Sequence, residues 1–282
     1  MKAIVVESPA KINLCLYILG RRDDGYHEIV SVMQTVDLMD MLELENSDKF
    51  ALDVRGMALD GENSIETAWR VLCAFIGKEI GVSVRLFKCV PLGAGLGGGS
   101  SNAAAFLIGM NKLFGLGLHL SELTELAAQV GSDVPFFLSG GSAIVRGRGE
   151  IVQPIVLPTE YNVLLIVPPF SVSTSHAYSK VRNYLTSEGK IGNLISLMPD
   201  EFWHIIGDLN NDFLAILRDE YPQYDEHISR LKYLGAEYAT LSGSGSAYFG
   251  IFRDGAKAVN AALQNWDGMV FLLRPISGYA QA

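Results

Sequence analysis

The sequence predicts a protein of two domains that contain both strands and helices, and three observations support this. The chain has 282 residues, which is long for a single core and comfortable for two domains. Apolar residues alternate with polar ones in some segments and recur at helical spacing in others, which predicts a mixture of strands and helices. Prolines cluster between residues 150 and 170, so we expect domains at residues 1–155 and 156–282.

The first domain is predicted to hold strands and helices that alternate along the chain after the first strands. Turn residues separate the segments, and Gly77 and Gly131 are placed to end two of the helices. Strands are predicted at residues 3–6, 12–18, 29–41, 82–90 and 141–149, and helices at 64–76, 103–114 and 121–130.

The second domain is predicted to be richer in helix. Its strands are expected at residues 163–167, 238–241, 247–252 and 269–273. Its helices are expected at residues 174–185, 193–206, 211–219, 226–234 and 255–264.

Composition excludes several classes of function. The formal net charge of −9 argues against nucleic-acid binding, which needs clustered basic residues. An anionic ligand must therefore be held by local groups. No apolar run is long enough to span a bilayer, and charges interrupt the first apolar stretch, so we expect a cytoplasmic protein without a membrane partner. Cys15, Cys73 and Cys89 form no CxxC pair and are predicted to be buried thiols of a reducing compartment.

A glycine-rich stretch at residues 93–99 is the most informative feature of the chain. Glycine concentrates where the backbone takes positive φ or lies very close to a ligand. Serine and asparagine follow at residues 100–102, then three alanines; serine and asparagine are good N-caps and alanine favours helix. The stretch therefore predicts a loop that ends at a helix N-terminus, which suits a phosphate.

A dinucleotide-binding turn, a Walker A loop and a flexible linker each fit this stretch less well. Gly93, Gly95 and Gly98 satisfy G-x-G-x-x-G, but the acidic residue expected about 20 positions later is represented only by Glu122, on a predicted helix. The Walker A pattern would need a lysine that is absent here. A flexible linker would have polar flanks, whereas an apolar strand and an apolar helix flank this loop.

Lys11 and Asp133 are candidates for chemistry. Lys11 and Asn13 share one face of a predicted strand, and a buried Lys11 would need an anionic partner; alternatively it points to water from an edge strand. Asp133 follows a helix stop, where it either caps a short helix or accepts a hydroxyl proton in phosphoryl transfer. A nearby lysine would keep such a carboxylate ionised.

Two further segments could contact a ligand. Tyr26 and His27 could stack on a base and bond its edge, or could form a turn with one aromatic ring packed inward. Gly243, Ser244 and Gly245 form either a tight hairpin or a wall whose N–H groups face a phosphate. The histidines show no zinc-ligand spacing, so no zinc site is predicted.

The order of three motifs resembles that of the GHMP small-molecule kinases. They are S-P-A-K-I-N-L near the start, P-L-G-A-G-L-G-G-G-S-S-N-A-A in the middle and L-S-G-S-G-S-A near the end. The resemblance covers nearly the whole chain. It implies an α+β fold of two GHMP kinase domains with the active site between them, the first like domain 2 of a small-subunit ribosomal protein and the second ferredoxin-like.

A closer resemblance rests on D-G-Y-H-E, on the triple glycine and on G-S-D-V-P-F-F. It points to the members of the family that phosphorylate the 2-hydroxyl of 4-diphosphocytidyl-2-C-methyl-D-erythritol with ATP, in the non-mevalonate route to isoprenoid precursors. Two alternatives stay open. One is a kinase of the same fold for homoserine, mevalonate or a sugar, and the other is a nucleotide sensor without catalysis.

The resemblance also implies residue roles. Lys11 and Asp133 correspond to the catalytic pair, and Asn63 lies on the adenine side of the ATP site. The loop that binds the ATP phosphates comprises Pro91, Leu92, Gly93, Ala94, Gly95, Leu96, Gly97, Gly98, Gly99, Ser100 and Ser101.

The acceptor site is implied in the same way. Asn13 would lie near the methylerythritol unit, and Tyr26, His27 and Tyr178 would bind cytosine, while Gly243, Ser244 and Gly245 would face the substrate. Magnesium is expected with ATP; its ligands are unassigned, with Ser101 as one candidate.

Overall fold

The computed structural model describes residues 3–57, 63–182 and 201–278. Contacts group the chain into two compact units. Unit 1 comprises Met1–Ala10, Leu38–Pro91 and Gly97–Ser139, and unit 2 comprises Lys11–Asp37, Leu92–Leu96 and Gly140–Ala282. The domain boundary predicted after residue 155 lies within unit 2 and stays a prediction.

Two long strands contribute to both units. They are β1 (Ala3–Arg21) and β2 (His27–Asn46). The sequence predicted two strands where β1 is continuous. The strand continues through Pro9 because the fixed φ of proline is compatible with extended backbone.

In unit 1, the end of β2 pairs with two further strands. It runs antiparallel to β4 (Val82–Phe87), and β3 (Ala51–Arg55) lies parallel to the other edge of β4. The chain passes from β3 to β4 through a helix, because two parallel strands need a crossover connection between them.

Four helices complete unit 1. They are α1 (Ser64–Ile76), α2 (Gly98–Phe114), α3 (Leu120–Val130) and the single turn α4 (Phe136–Ser139). Helix α2 is buried on nearly all sides from residue 101 to residue 110, as expected of a central helix. The other three helices contact it, so α2 is held by the core of unit 1.

In unit 2, the first part of β2 pairs antiparallel with β5 (Ser142–Gly147), and β5 pairs antiparallel with β6 (Ile151–Ile155). A second sheet has the order β10-β7-β9-β8, with antiparallel neighbours throughout. Its strands are β7 (Asn162–Val167), β8 (Tyr238–Leu241), β9 (Tyr248–Phe252) and β10 (Met269–Leu273).

The helices of unit 2 cover this second sheet. Those described are α5 (Thr174–Ser179), α6 (Phe202–Ile205), α7 (Asp212–Leu217), α8 (Gln223–Tyr233) and α9 (Gly255–Ala262). The resulting order of strands and helices is β-α-β-β-α-β, the ferredoxin-like arrangement, so this part of the predicted fold is confirmed. The predicted helices at 174–185 and 193–206 extend into residues 183–200, which lie outside the described residues.

A close backbone approach in unit 1 gives a test of the fold. A Cβ added at Gly81 would lie 2.2 Å from the Ser47 carbonyl oxygen, so Gly81→Ala must displace backbone. Overpacking typically costs about 1–3 kcal/mol, and each kcal/mol lowers Tm by roughly 2–4 °C in a domain of this size. We expect thermal unfolding to report that loss, whereas Gly20→Ala, whose Cβ meets nothing within 4 Å, leaves Tm unchanged. Equal Tm values for both variants would contradict the described approach.

Candidate active site

The glycine-rich loop leads directly into helix α2. Gly97 is the N-cap, with φ 68° and no side-chain hydrogen bond to the helix, and α2 begins at Gly98. The prediction that the serines and Asn102 cap the helix is therefore wrong, because those residues lie within its first turns. A left-handed glycine at the N-cap leaves the first N–H groups of the helix without a capping side chain, and such groups suit an anion.

The N-terminus of α1 lies beside that of α2 in unit 1. Ser64 Oγ donates to the Gly99 carbonyl oxygen at 2.6 Å. Asn63 caps α1, because its Oδ1 accepts from the Ile65 N–H at 2.9 Å. Its Nδ2 is buried without a hydrogen-bond partner among the described residues. Unit 1 thus brings Asn63 close to the loop with an amide N–H group that can serve a ligand.

Ser101 and Asp133 are further polar residues of the predicted set in unit 1. Ser101 is buried, and its Oγ accepts a hydrogen bond from Ser8 Oγ at 2.9 Å. Asp133 lies half-buried in the turn between Gly131, where α3 ends, and α4. Both residues belong to unit 1, whereas Lys11 belongs to unit 2.

Lys11 is buried in unit 2, so the water-facing alternative is wrong. Its Nζ donates to the Gly95 carbonyl oxygen at 2.9 Å and to Asn13 Oδ1. Asn13 in turn donates from Nδ2 to Ser31 Oγ at 2.7 Å. The ammonium is therefore held by the glycine-rich loop and by the side chain predicted to share its strand face.

The third motif lies against the same loop. Ser242 Oγ donates to the Gly95 carbonyl oxygen at 2.9 Å, and the Ala247 N–H donates to the Ala94 carbonyl oxygen at 3.2 Å. Gly243 and Gly245 both have positive φ in the turn that joins β8 to β9. The turn is thus a hairpin, as one alternative expected, and it also borders the glycine-rich loop.

The aromatic residues predicted for base binding lie in unit 2. The ring of Tyr26 is 55% exposed, and the Arg148 guanidinium lies over it at 4.7 Å from the ring centroid. His27 stacks on Tyr178, with the ring centroids 4.8 Å apart, and Tyr178 packs edge-on against Phe213. The structure therefore brings Tyr178 to His27, and it leaves much of Tyr26 open to a ligand.

The surroundings of His27 favour the neutral form of its ring. Burial, and then the positive charge of Arg21, lowers its pKa below the usual value. A neutral imidazole keeps one nitrogen as donor and the other as acceptor. Such a ring can pair with the edge of a base that offers both kinds of group.

Several residues of the site were not predicted. The set of site residues predicted from the sequence lacks Arg148, Ser8, Asp40, Lys88 and Ser242. Asp40 and Lys88 form a buried ion pair in unit 1. A charged residue near the end of an otherwise apolar strand run was the only signal for Asp40 in the sequence. Cys89 is exposed, so the prediction of three buried thiols holds only for Cys15 and Cys73.

Neither a metal cluster nor a membrane span is found in the part of the chain that the structure describes. It holds no group of three His, Cys, Asp or Glu residues that could bind a metal. None of its helices combines the length and the apolar character needed to cross a bilayer.

Comparison with known proteins identifies the family. Residues 63–141 match the GHMP kinases N terminal domain, and residues 194–267 match the GHMP kinases C terminal. The 4-diphosphocytidyl-2-C-methyl-D-erythritol kinase of Thermodesulfovibrio yellowstonii is 39% identical over 260 residues, which cover 89% of this chain and 90% of that protein. The chain belongs to the 4-diphosphocytidyl-2-C-methyl-D-erythritol kinase family. The enzyme of the same name from Bacillus pumilus is 36% identical and covers 97% of each chain.

Solved structures agree with this family. A crystal structure of 4-(cytidine 5'-diphospho)-2C-methyl-D-erythritol kinase is 31% identical, covers 98% of this chain and 100% of its own, and superposes with a TM-score of 0.80. A homoserine kinase from Cytophaga hutchinsonii has a TM-score of 0.77 at 20% identity, with 99% and 96% coverage, which supports the fold alone. The predicted GHMP kinase fold and the prediction of an ATP-dependent small-molecule kinase are confirmed.

The approach of the third motif to the loop can be tested at Gly95. Its φ is +76°, and an added Cβ would lie 2.0 Å from the Ser242 carbonyl oxygen, so Gly95→Ala must force the two segments of unit 2 apart. Gly93→Ala is the matched control, because Gly93 also has positive φ but its Cβ meets nothing within 4 Å. We expect kcat/KM for ATP to fall at least about tenfold further in Gly95→Ala, a loss of roughly 1.4 kcal/mol. If kcat/KM for ATP falls by a similar factor in both variants, the loss is caused by the positive φ of the substituted residue and not by the contact with Ser242.

Proposed function

We propose that this kinase transfers the γ-phosphate of ATP to the 2-hydroxyl of 4-diphosphocytidyl-2-C-methyl-D-erythritol, giving the 2-phosphate and ADP for isoprenoid precursor synthesis. The observation that carries the proposal is the likeness, over nearly the whole chain, to kinases named for this substrate. Cys15, Cys73 and Cys89 are free thiols, which supports the cytoplasm as its compartment.

ATP binding is assigned to residues 91–101 and Asn63. The N-terminus of α2 offers N–H groups and the positive end of the helix dipole to the phosphates. The buried, unpartnered Nδ2 of Asn63 suits an acceptor nitrogen of adenine, because an unsatisfied buried donor is costly until a ligand pairs with it.

Asp133 and Lys11 are assigned to the phosphoryl transfer. The 2-hydroxyl oxygen forms a bond to the γ-phosphorus while the bond from that phosphorus to the oxygen bridging to the β-phosphate breaks, so that ADP leaves. Asp133 accepts the hydroxyl proton. The Lys11 ammonium, held against the loop carbonyl of Gly95, stabilises negative charge on the phosphoryl oxygens.

Magnesium enters this proposal only as the ion that accompanies ATP. Mg²⁺ is usually bound through one or two carboxylates together with substrate phosphates. Ser101 does not fit as its ligand, because its hydroxyl is buried and bonded to Ser8.

The cytidine end of the substrate is assigned to Tyr26, His27 and Tyr178, with Asn13 and the turn at residues 243–245 toward the methylerythritol. The exposed ring of Tyr26 offers a stacking surface, and base stacking on an aromatic ring is worth about 1–3 kcal/mol. Homoserine and mevalonate carry no base and would gain nothing from these rings. The aromatic group therefore favours a nucleotide-linked alcohol.

The substrate is tested by ADP release. With ATP and magnesium present, we expect release with the cytidyl substrate and none above background with homoserine, mevalonate or galactose. CMP should compete with the acceptor and should compete less well in Tyr26→Ala. Release with another alcohol alone would replace the proposed substrate. ATP binding without turnover on any of them would favour a nucleotide sensor.

The roles of Asp133 and Lys11 are tested by isosteric changes. Asp133→Asn should bind ATP within about threefold of the unchanged protein and lose at least about 100-fold in kcat, because general base catalysis contributes roughly 10²–10⁴. Lys11→Met should lose about 10²–10³ in kcat.

Controls for these variants are Asp267→Asn and Lys112→Met, which remove exposed side chains of the same types and should leave kcat unchanged. Unfolding temperatures confirm that each variant is folded. If kcat in Asp133→Asn stays within a few-fold of the original, the base is another group.

A further inference from the structure

A buried polar cluster in unit 1 plays no part in the mechanism above. At its centre is Asp40, on β2. One carboxylate oxygen, Oδ1, accepts from the backbone N–H groups of Cys89 at 2.7 Å and Val90 at 2.8 Å. The other, Oδ2, accepts from Lys88 Nζ and from Asn102 Nδ2, the latter at 2.9 Å. All lone-pair directions of this carboxylate are therefore used by the two chain segments that it joins.

Those two segments are the ends of the phosphate loop. Cys89 and Val90 immediately precede Pro91, where the loop begins, and Asn102 immediately follows Ser101, where it ends. A single carboxylate thus closes the loop at its base. The positions of the two ends of the loop are therefore fixed relative to each other by the hydrogen bonds of one side chain.

Stability alone does not explain this arrangement. The side chains of Asp40 and Lys88 are 0% and 1% exposed, and a buried ion pair is often no more stabilising than apolar residues of similar volume. An apolar pair could fill the same space, but it could not accept N–H groups from both ends of the loop. The geometry points to a role in placing the backbone.

The first turn of α2 is fixed against the same cluster. Asn102 Nδ2 also donates to Ser8 Oγ at 2.8 Å, and Ser8 Oγ donates to Ser101 Oγ. At Gly98, the first residue of α2, an added Cβ would lie 3.2 Å from Lys88 Nζ. The N–H groups that would meet the phosphates therefore belong to a helical turn that is bonded to the cluster.

We propose that Asp40 is a positioning residue for ATP, acting through Asn102 and through the backbone of Cys89 and Val90 to set where the α2 N–H groups point. The inference rests on the proposed function only in taking this loop as the nucleotide-phosphate site. It assigns no contact between Asp40 and ATP, and it predicts that ATP affinity depends on the cluster more than acceptor binding does.

The first test is Asn102→Ala. Alanine favours helix, and the variant keeps the ion pair of Asp40 and Lys88, so the fold should survive while the link to α2 is lost. We expect the dissociation constant for ATP, measured by calorimetry without acceptor, to rise at least tenfold. The KM for the acceptor alcohol should stay within twofold. An unchanged ATP dissociation constant in folded Asn102→Ala would overturn the inference.

The second test is the double variant Asp40→Asn with Lys88→Met, which removes both buried charges together, replaces them with side chains of similar volume, and keeps an amide oxygen that can accept from the Cys89 and Val90 N–H groups. We expect Tm to stay near that of the original protein while the ATP dissociation constant again rises at least tenfold. A purely structural role would change Tm and leave ATP binding alone. ATP binding within twofold of the original would overturn the proposal even if Asn102→Ala weakened it.

Asp37→Asn provides the matched control, because Asp37 is an exposed carboxylate on the same strand, and it should leave ATP binding unchanged. Calorimetry with ATP alone also separates this inference from the proposed reaction. ATP binding that weakens in the variants, in a protein that never phosphorylates the cytidyl alcohol, would support Asp40 and overturn only the substrate. Normal ATP binding in these variants, in a protein that does phosphorylate the cytidyl alcohol, would support the proposed substrate and overturn the role of Asp40.

Discussion

The carbonyl oxygen of Gly95 is the point on which the site in unit 2 depends. It accepts one hydrogen bond from Lys11 Nζ and another from Ser242 Oγ. Those donors come from the first and third sequence motifs, and the acceptor comes from the second. The motifs are far apart along the chain, and this backbone oxygen, together with neighbouring backbone hydrogen bonds of the same loop, makes them neighbours. A side chain at Gly95 would meet the Ser242 carbonyl, so the junction requires bare backbone as well as these donors.

The same requirement for bare backbone explains how α2 begins. A serine or asparagine at the N-cap would place its oxygen on the first N–H groups, in competition with a phosphate. Gly97 caps the helix without a side-chain bond and leaves those groups to a ligand. The loss of a capping bond, roughly a few tenths of a kcal/mol when glycine takes the N-cap position, is offset by the burial of α2 through most of its length.

Local signals made part of this structure predictable from sequence. Helix α1 matches its prediction at both ends, because Asn63 with Glu66 and the left-handed Gly77 cap it through contacts within four residues. Lys11 could be proposed as a candidate for chemistry because it is a charged residue among the apolar residues of a strand. The start of α2 was mispredicted because Ser101 and Asn102 use their side chains on partners 93 and 62 positions away, which no local pattern reveals.

Electrostatics explains why an acidic chain can still cradle a polyphosphate. With a formal net charge of −9, the overall field repels an anion, and screening limits that repulsion to about 8–10 Å at ordinary salt. Beneath the loop, Asp40 neutralises Lys88, so that pair adds no net attraction and serves geometry instead. Under the proposed function, what attracts the phosphates is the helix terminus with its uncapped N–H groups, together with the ammonium of Lys11. Attraction of this kind acts only at contact distance, so the position of the α2 backbone matters more to binding than the charge of the protein as a whole.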